Sequence, residues 1–198
     1  GINSVQVSLK NNTDTNYYNG TDWSSGTEVW LNVSGTTTWT YNSPALTTNK
    51  TYIVRSKAKD NGGNFETPGS GITFTFDNVV PSSQVTVPTN GSKLNSLFTI
   101  SGSSSDATSG VSNVKVSIKN ETDASYWNGS SWGAIETWVN VTGGTTSWYY
   151  TSPTWTSGKW YLIKSQAEDV ATNPETVGSG NSFRFDNVSP SSTIAQPV

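Results

Sequence analysis

The chain has 198 residues, of which 32% are apolar, and its 11 Lys and Arg against 14 Asp and Glu leave a formal net charge of −3. That length allows one or two domains with small cores filled by aromatics, and an acidic balance without any basic block excludes a phosphate-tracking nucleic-acid binder. The absence of Cys and His removes thiol and Ser-His-Asp nucleophiles, imidazole acid–base catalysis and the common zinc sites, so that only carboxylate chemistry remains. No run of about twenty apolar residues offers a membrane span, and the first residues do not read as a signal peptide. No Met occurs, not even a first one, as expected of a segment of a longer or processed chain.

Residues 1–14 read GINSVQVSLKNNTD, an alternating strand, and residues 17–23 read YYNGTDW, an Asn-Gly hairpin tip between aromatics. Asn-Gly favours a two-residue loop because both central positions need positive φ, and the flanking rings are then expected to meet diagonally across the hairpin. Both stretches recur, as GVSNVKVSIKNETD at 110–123 and YWNGSSW at 126–132. The match runs on to the end at a period of 109 residues, with one compensated gap near Trp30 and Trp138; Trp39 falls on Trp148, Tyr52 on Tyr161, Asp60 on Asp169, Asp77 on Asp186 and Pro81 on Pro190. A period of this kind marks a tandem array.

The fuller copy places strands near 84–87, 97–102, 111–119, 125–127, 137–142, 146–151, 159–169 and 181–186, with no helix. In YLIKSQAE, Tyr161, Ile163, Ser165 and Ala167 share one face while Lys164, Gln166 and Glu168 share the other, so one face of that sheet is wet. Trp39 and Trp148, in matching alternating strands, are expected in the core.

The run GSSSDATSGVSNVKVSI, the strand YLIKSQAED with its loop VATNPE, and the closing FRFDNVSPSS resemble the immunoglobulin-like repeats found in tandem in large bacterial and archaeal surface proteins, and are similar to fibronectin type III modules. The resemblance implies an all-β fold of tandem immunoglobulin-like β-sandwiches. It implies corner tyrosines at Tyr52 and Tyr161, with Val54 and Ile163 where antibody domains keep their disulfide. It also implies a structural or adhesive role outside the cell.

On that reading residues 1–80 are a sandwich lacking its first strands, 81–190 a complete one, and 191–198 the first strand of a following repeat. An upstream segment or a neighbouring chain is expected to cover the first unit. Partners are neighbouring repeats, other copies in a filament, and glycans.

Two readings of the nine Trp stand open: a sugar-stacking platform at Trp127, Trp132, Trp155 and Trp160, or core and hairpin clamping. Nine Asn-x-Ser/Thr sequons occur, a mild excess for so Asn-, Ser- and Thr-rich a chain; the glycosylation candidates are Asn11, Asn19, Asn32, Asn120, Asn128 and Asn140. Glycoside hydrolysis needs two carboxyls flanking one bond, and Asp14 with Glu28, or Asp123 with Glu136, read instead as solvated loop acids. The loops at the entry end of a sandwich bring Asp106 and Asp169 toward Asp77 at the joint. There the candidates are either a calcium ligand set or plain turn formers.

Overall fold

The computed structural model describes residues 1–194 and is all-β. Its chain forms two compact units, Gly1–Asn78 and Val79 onward. Of the expected strand at 191–198, residues 195–198 lie outside the described residues, and 191–194 carry no strand.

The second unit contains two sheets. β8 (Ser82–Val87), β10 (Thr99–Ser105), β16 (Ser147–Thr151) and β15 (Thr142–Gly143) lie in the order β15-β16-β10-β8. The other sheet runs β13-β12-β11-β17-β18-β9, from β9 (Ser92–Leu94), β11 (Val111–Asn120), β12 (Ser125–Trp127), β13 (Trp132–Gly133), β17 (Lys159–Asp169) and β18 (Asn181–Phe185), with β14 (Val139–Asn140) also pairing with β11. In sandwich lettering these are A-B-E-D against A′-G-F-C-C′, the immunoglobulin strand order. All pairs are antiparallel except β9 with β18.

Alternation produces the core. On β17, Tyr161, Ile163, Ser165, Ala167 and Asp169 are buried and the intervening residues are half-buried. Val114, Val116 and Ile118 of β11 and Phe183 and Phe185 of β18 join them, and Ile100 and Trp148 reach in from the opposing sheet. The Trp148 indole Nε1 is enclosed without a hydrogen-bond partner among the described residues. Burying a Trp removes roughly 150–250 Å² from water, worth about 4–6 kcal/mol at about 25 cal/mol per Å². One orphaned N–H costs about 1–3 kcal/mol, so the indole stays in. Tyr161 Oη accepts the Thr156 main-chain N–H at 2.9 Å, and Tyr52 Oη that of Thr47 at 2.9 Å. Both corner tyrosines are therefore in place.

The first unit repeats one of these sheets. β1 (Ile2–Asn11), β2 (Asn16–Tyr17), β6 (Lys50–Asp60) and β7 (Ile72–Phe76) lie in the order β2-β1-β6-β7, with β3 (Leu31–Asn32) also on β1, while β4 (Ser34–Gly35) and β5 (Trp39–Thr40) form a short separate hairpin. Even the register irregularity near the start of β1 recurs in β11. Strands matching β8, β9 and β10 do not occur among the described residues of this unit. Trp39 therefore departs from expectation: it is 36% exposed, whereas Trp148 is 1% exposed.

A methyl group placed on Gly102 of β10 would overlap the Trp148 ring and the Gln84 carbonyl. Gly102→Ala should therefore cost about 1–3 kcal/mol or more through overpacking. The loss should read as a lower melting temperature and a weakened near-ultraviolet tryptophan signal. An unchanged melt would show that Trp148 can move aside freely.

Candidate functional site

The two hairpin tips are built one residue out of the expected frame. The Asn128 N–H donates to the Ser131 carbonyl at 3.0 Å, so the loop is Gly129-Ser130, with Gly129 at φ 101°. Asn128 precedes the loop and accepts the Ser130 and Ser131 N–H groups through Oδ1 at 3.0 and 2.9 Å, an Asx turn. Asn19 does the same for Thr21 and Asp22, ahead of Gly20 at φ 102°. A carbonyl side chain that captures two amides favours Asn at the position before the turn, and only the glycine then needs positive φ. In consequence Trp127 and Trp132 sit directly opposite one another rather than diagonally, with ring centroids 5.6 Å apart; Tyr18 and Trp23 are 5.3 Å apart.

These rings lead inward. Trp132 lies 5.7 Å from Tyr161 and 6.4 Å from Trp155, and Trp155 meets Phe183 edge-on at 5.1 Å. Trp127 Nε1 donates to Tyr150 Oη and Trp155 Nε1 to the Leu97 carbonyl, each at 2.9 Å. Three of the four candidate indoles are thus tilted members of one packed chain. Trp160, 38% exposed, stands on the other face of β17.

The sequons divide by burial. Asn11 and Asn120 are 5% and 6% exposed. Their Nδ2 groups donate to Asp14 and Asp123 at 2.9 Å, and their Oδ1 atoms accept the main-chain N–H of the same residues at 3.1 Å. These two amides are thus enclosed and engaged within the fold. Asn19, Asn32, Asn128 and Asn140 are exposed.

Asp14 and Asp123 complete a device present in both units. Lys50 donates to Asp14 and Lys159 to Asp123, each at 2.7 Å. The lysine hydrogen bond is the main cause that holds each carboxyl below its usual range. Glu28 lies elsewhere, in an ion pair with Arg55 at 2.7 Å, and Glu136 accepts from Ser117 Oγ at 2.9 Å. Each of these four carboxylates is thus engaged with a different partner.

Asp106 and Asp169 are brought together: one carboxylate oxygen of each lies within 4.8 Å of the other. Asp169, fully enclosed, accepts Asn173 N–H on Oδ1 and Asn173 Nδ2 on Oδ2, both at 2.8 Å. Asp106 Oδ1 takes three main-chain N–H groups, from Thr108, Ser109 and Gly110, at 3.0, 2.9 and 2.8 Å. Its Oδ2 is enclosed without a hydrogen-bond partner among the described residues. Asp77, at the end of the first unit, accepts from Thr48 Oγ1 at 3.4 Å. Asp60 and Asn64 copy the Asp169–Asn173 pair at 2.8 and 2.9 Å, whereas no residue of the first unit matches Asp106.

No protein-family profile matches the chain, and no curated protein does. Fibronectin(III)-like modules of Clostridium thermocellum CbhA are a solved structure to which it is similar, at 12% identity and a TM-score of 0.44, over 94% of this chain and 80% of that one. The sandwich assignment rests on the strand order and core of the second unit itself.

One residue that sequence reasoning passes over ties the first strand of that unit in place. Glu175 accepts the Ser83 N–H at 2.6 Å, Ser83 Oγ at 2.5 Å and the Ala167 N–H at 2.8 Å. The signal for it was its copy at the repeat period, Glu66, which accepts the Ala58 N–H at 2.9 Å.

A carboxyl whose folded value lies below its unfolded one stabilises the fold above the ordinary carboxylate range, and loses that contribution as pH falls through the lower folded value. Carbon-detected NMR titration should place Asp14 and Asp123 below the ordinary 3.8. Lys159→Met should return Asp123 toward it while leaving Asp14 displaced; equal midpoints before and after the substitution would remove the lysine as the cause.

Proposed function

We propose that the chain is a non-enzymatic structural repeat module, a section of the rod of an extracellular filament, stalk, sheath or adhesin. The observation that carries this reading is the pairing of a 109-residue repeat with a sandwich whose aromatic capital is spent on its own packing. Three supporting facts come from chemistry. The carboxylates are engaged as turn acceptors and ion-pair partners. Histidine and cysteine are missing. The short joint Asn78-Val79-Val80-Pro81 carries a proline, whose fixed φ limits bending. Stacking units of this kind adds length in steps, each step stabilised by its own core.

The surface suits the same role. Its exposed Asn, Ser and Thr offer glycan acceptors at Asn19, Asn32, Asn128 and Asn140, and neighbouring repeats or further copies are the natural partners. The alternative, a carbohydrate-binding module, needs open indole faces. A glycan array together with a thermal melt separates the two. In a rod module Trp132→Ala should lose about 1–3 kcal/mol of stability, less than a fully buried aromatic because the ring is half-buried, and neither it nor the parent chain should retain any sugar. Sugar retention that disappears with Trp160→Ala, at unchanged stability, would establish the binding module instead.

Calcium at the joint belongs to this proposal. Asp106 Oδ2, enclosed beside Asp169, is a carboxylate oxygen suited to a hard cation. A bound ion would stabilise the folded joint by mass action. Calcium titrated into the chelator-treated chain should release heat and raise the melting temperature, and Asp106→Asn should abolish both effects. A melt indifferent to calcium and chelator would leave these acids as turn formers.

A further inference from the structure

We infer that the open apolar face of the first unit is a strand-accepting site. Its occupant is an extended two-strand segment of the repeat's own type, with the sequence character of residues 82–109, whose second strand lies antiparallel to β5.

A groove of about 250 Å³ runs across this face, with Val7, Leu9, Trp39, Tyr41, Tyr52 and Phe74 among its lining residues. Shifted by the repeat period, these are Val116, Ile118, Trp148, Tyr150, Tyr161 and Phe183, all of which belong to or pack on the core cluster of the second unit. The second unit fills the same place from within. Ile100 of β10 is fully buried in that cluster, and Gly102 lies opposite Trp148 in the β10–β16 register. The difference between the two faces is large: Trp39 and Phe74 are 36% and 38% exposed, Trp148 and Phe183 1% and 0%. Leu46 in place of Trp155 widens the groove further.

The occupant is a peptide and not a small apolar ligand, because the polar fittings for a strand are also present. In the second unit Glu175 divides its carboxylate between Ala167 N–H and the N–H and hydroxyl of Ser83 on β8, and Ser83 Oγ also donates to Ser165 Oγ at 2.8 Å. In the first unit Glu66 holds the equivalent bond to Ala58, and Ser56 stands where Ser165 does. An added strand pair would therefore meet both an apolar floor and a carboxylate acceptor at spacings already realised once in this chain, the mode known as β-augmentation. One fitting differs. Asn181, whose Nδ2 donates to the Val85 and Pro88 carbonyls at 3.0 and 2.9 Å, is replaced by Ile72, which is 74% exposed. The first strand of the occupant is thus held less firmly than β8, and the second strand, with its Ile and Gly, contributes most.

The register gives a sharp test, since the chain has no Cys of its own. In the second unit Ser101 pairs with Tyr149, so the equivalent residue of a bound segment faces Thr40. The full chain carrying Thr40→Cys is mixed with a labelled synthetic peptide of residues 81–109 carrying Ser101→Cys. Directly opposed positions bring two Cβ atoms within disulfide reach, and a displacement of two residues along the strand does not. Saturable one-to-one binding is expected, by anisotropy, with disulfide capture of the Ser101→Cys peptide at least ten-fold faster than of the Ser103→Cys peptide. Peptides with Ile100→Asp or Gly102→Val should bind at least ten-fold more weakly, and these changes leave the protein's own folding untouched. Absence of binding, equal binding of the Ile100→Asp peptide, or equal capture at both cysteine positions would each overturn the inference. So would self-association of the chain that blocks capture, because the face would then belong to a second copy.

Discussion

The second unit closes where the Trp148 indole passes over Gly102. A sandwich without a disulfide relies on packing, with polar links such as that of Ser83 to Ser165 and Glu175, to hold its two sheets together, and packing works only if the opposing faces approach closely. Gly102, on the strand beside Trp148 in the same sheet, leaves room for the ring to lie over it, because any side chain there would collide with the ring and with the neighbouring strand. Ile100 and Trp148 then complete a core otherwise drawn from β11, β17 and β18. Around it the aromatics form a continuous series of tilted and stacked rings from the Trp127–Trp132 hairpin to Phe183. The hairpin and the corner tyrosine are therefore parts of one packed core rather than separate features.

Polar groups act at the margins of this packing. Asn11 with Asp14 and Lys50, and Asn120 with Asp123 and Lys159, pin each β1- or β11-type strand end to the start of the next long strand. The ion pairs themselves are largely exposed, so their worth lies in fixing geometry more than in Coulomb energy. Glu175 does the equivalent for β8. Charge at these positions holds loops and strand ends.

The two copies also separate local from non-local causes. Tyr18 and Trp23, Asn11 and Asp14, and Tyr52 and Thr47 keep the same contacts as their counterparts, since all partners lie within the repeated segment. Trp39 does not, because Ile100 and Gly102, the partners of its counterpart Trp148 in the second unit, belong to a strand with no counterpart among the described residues of the first.

Period-two alternation is a local property of the chain, so the sequence alone located β17 at 159–169, the buried face of Tyr161, Ile163, Ser165 and Ala167, and the all-β class. The repeat, visible as letters, carried over the corner tyrosines and the paired hairpins. The turn frame escaped it, because Asn tolerates positive φ and also caps a turn from the position before it; only the main-chain pairing of Asn128 with Ser131 distinguishes the two. Burial of the Asn11 and Asn120 amides, the short distance between Asp106 and Asp169, and the opposite fates of Trp39 and Trp148 were decided by tertiary structure. Each depends on what a distant strand or loop brings to the place, and a sequon, an aspartate or a tryptophan reads the same whether or not that partner arrives.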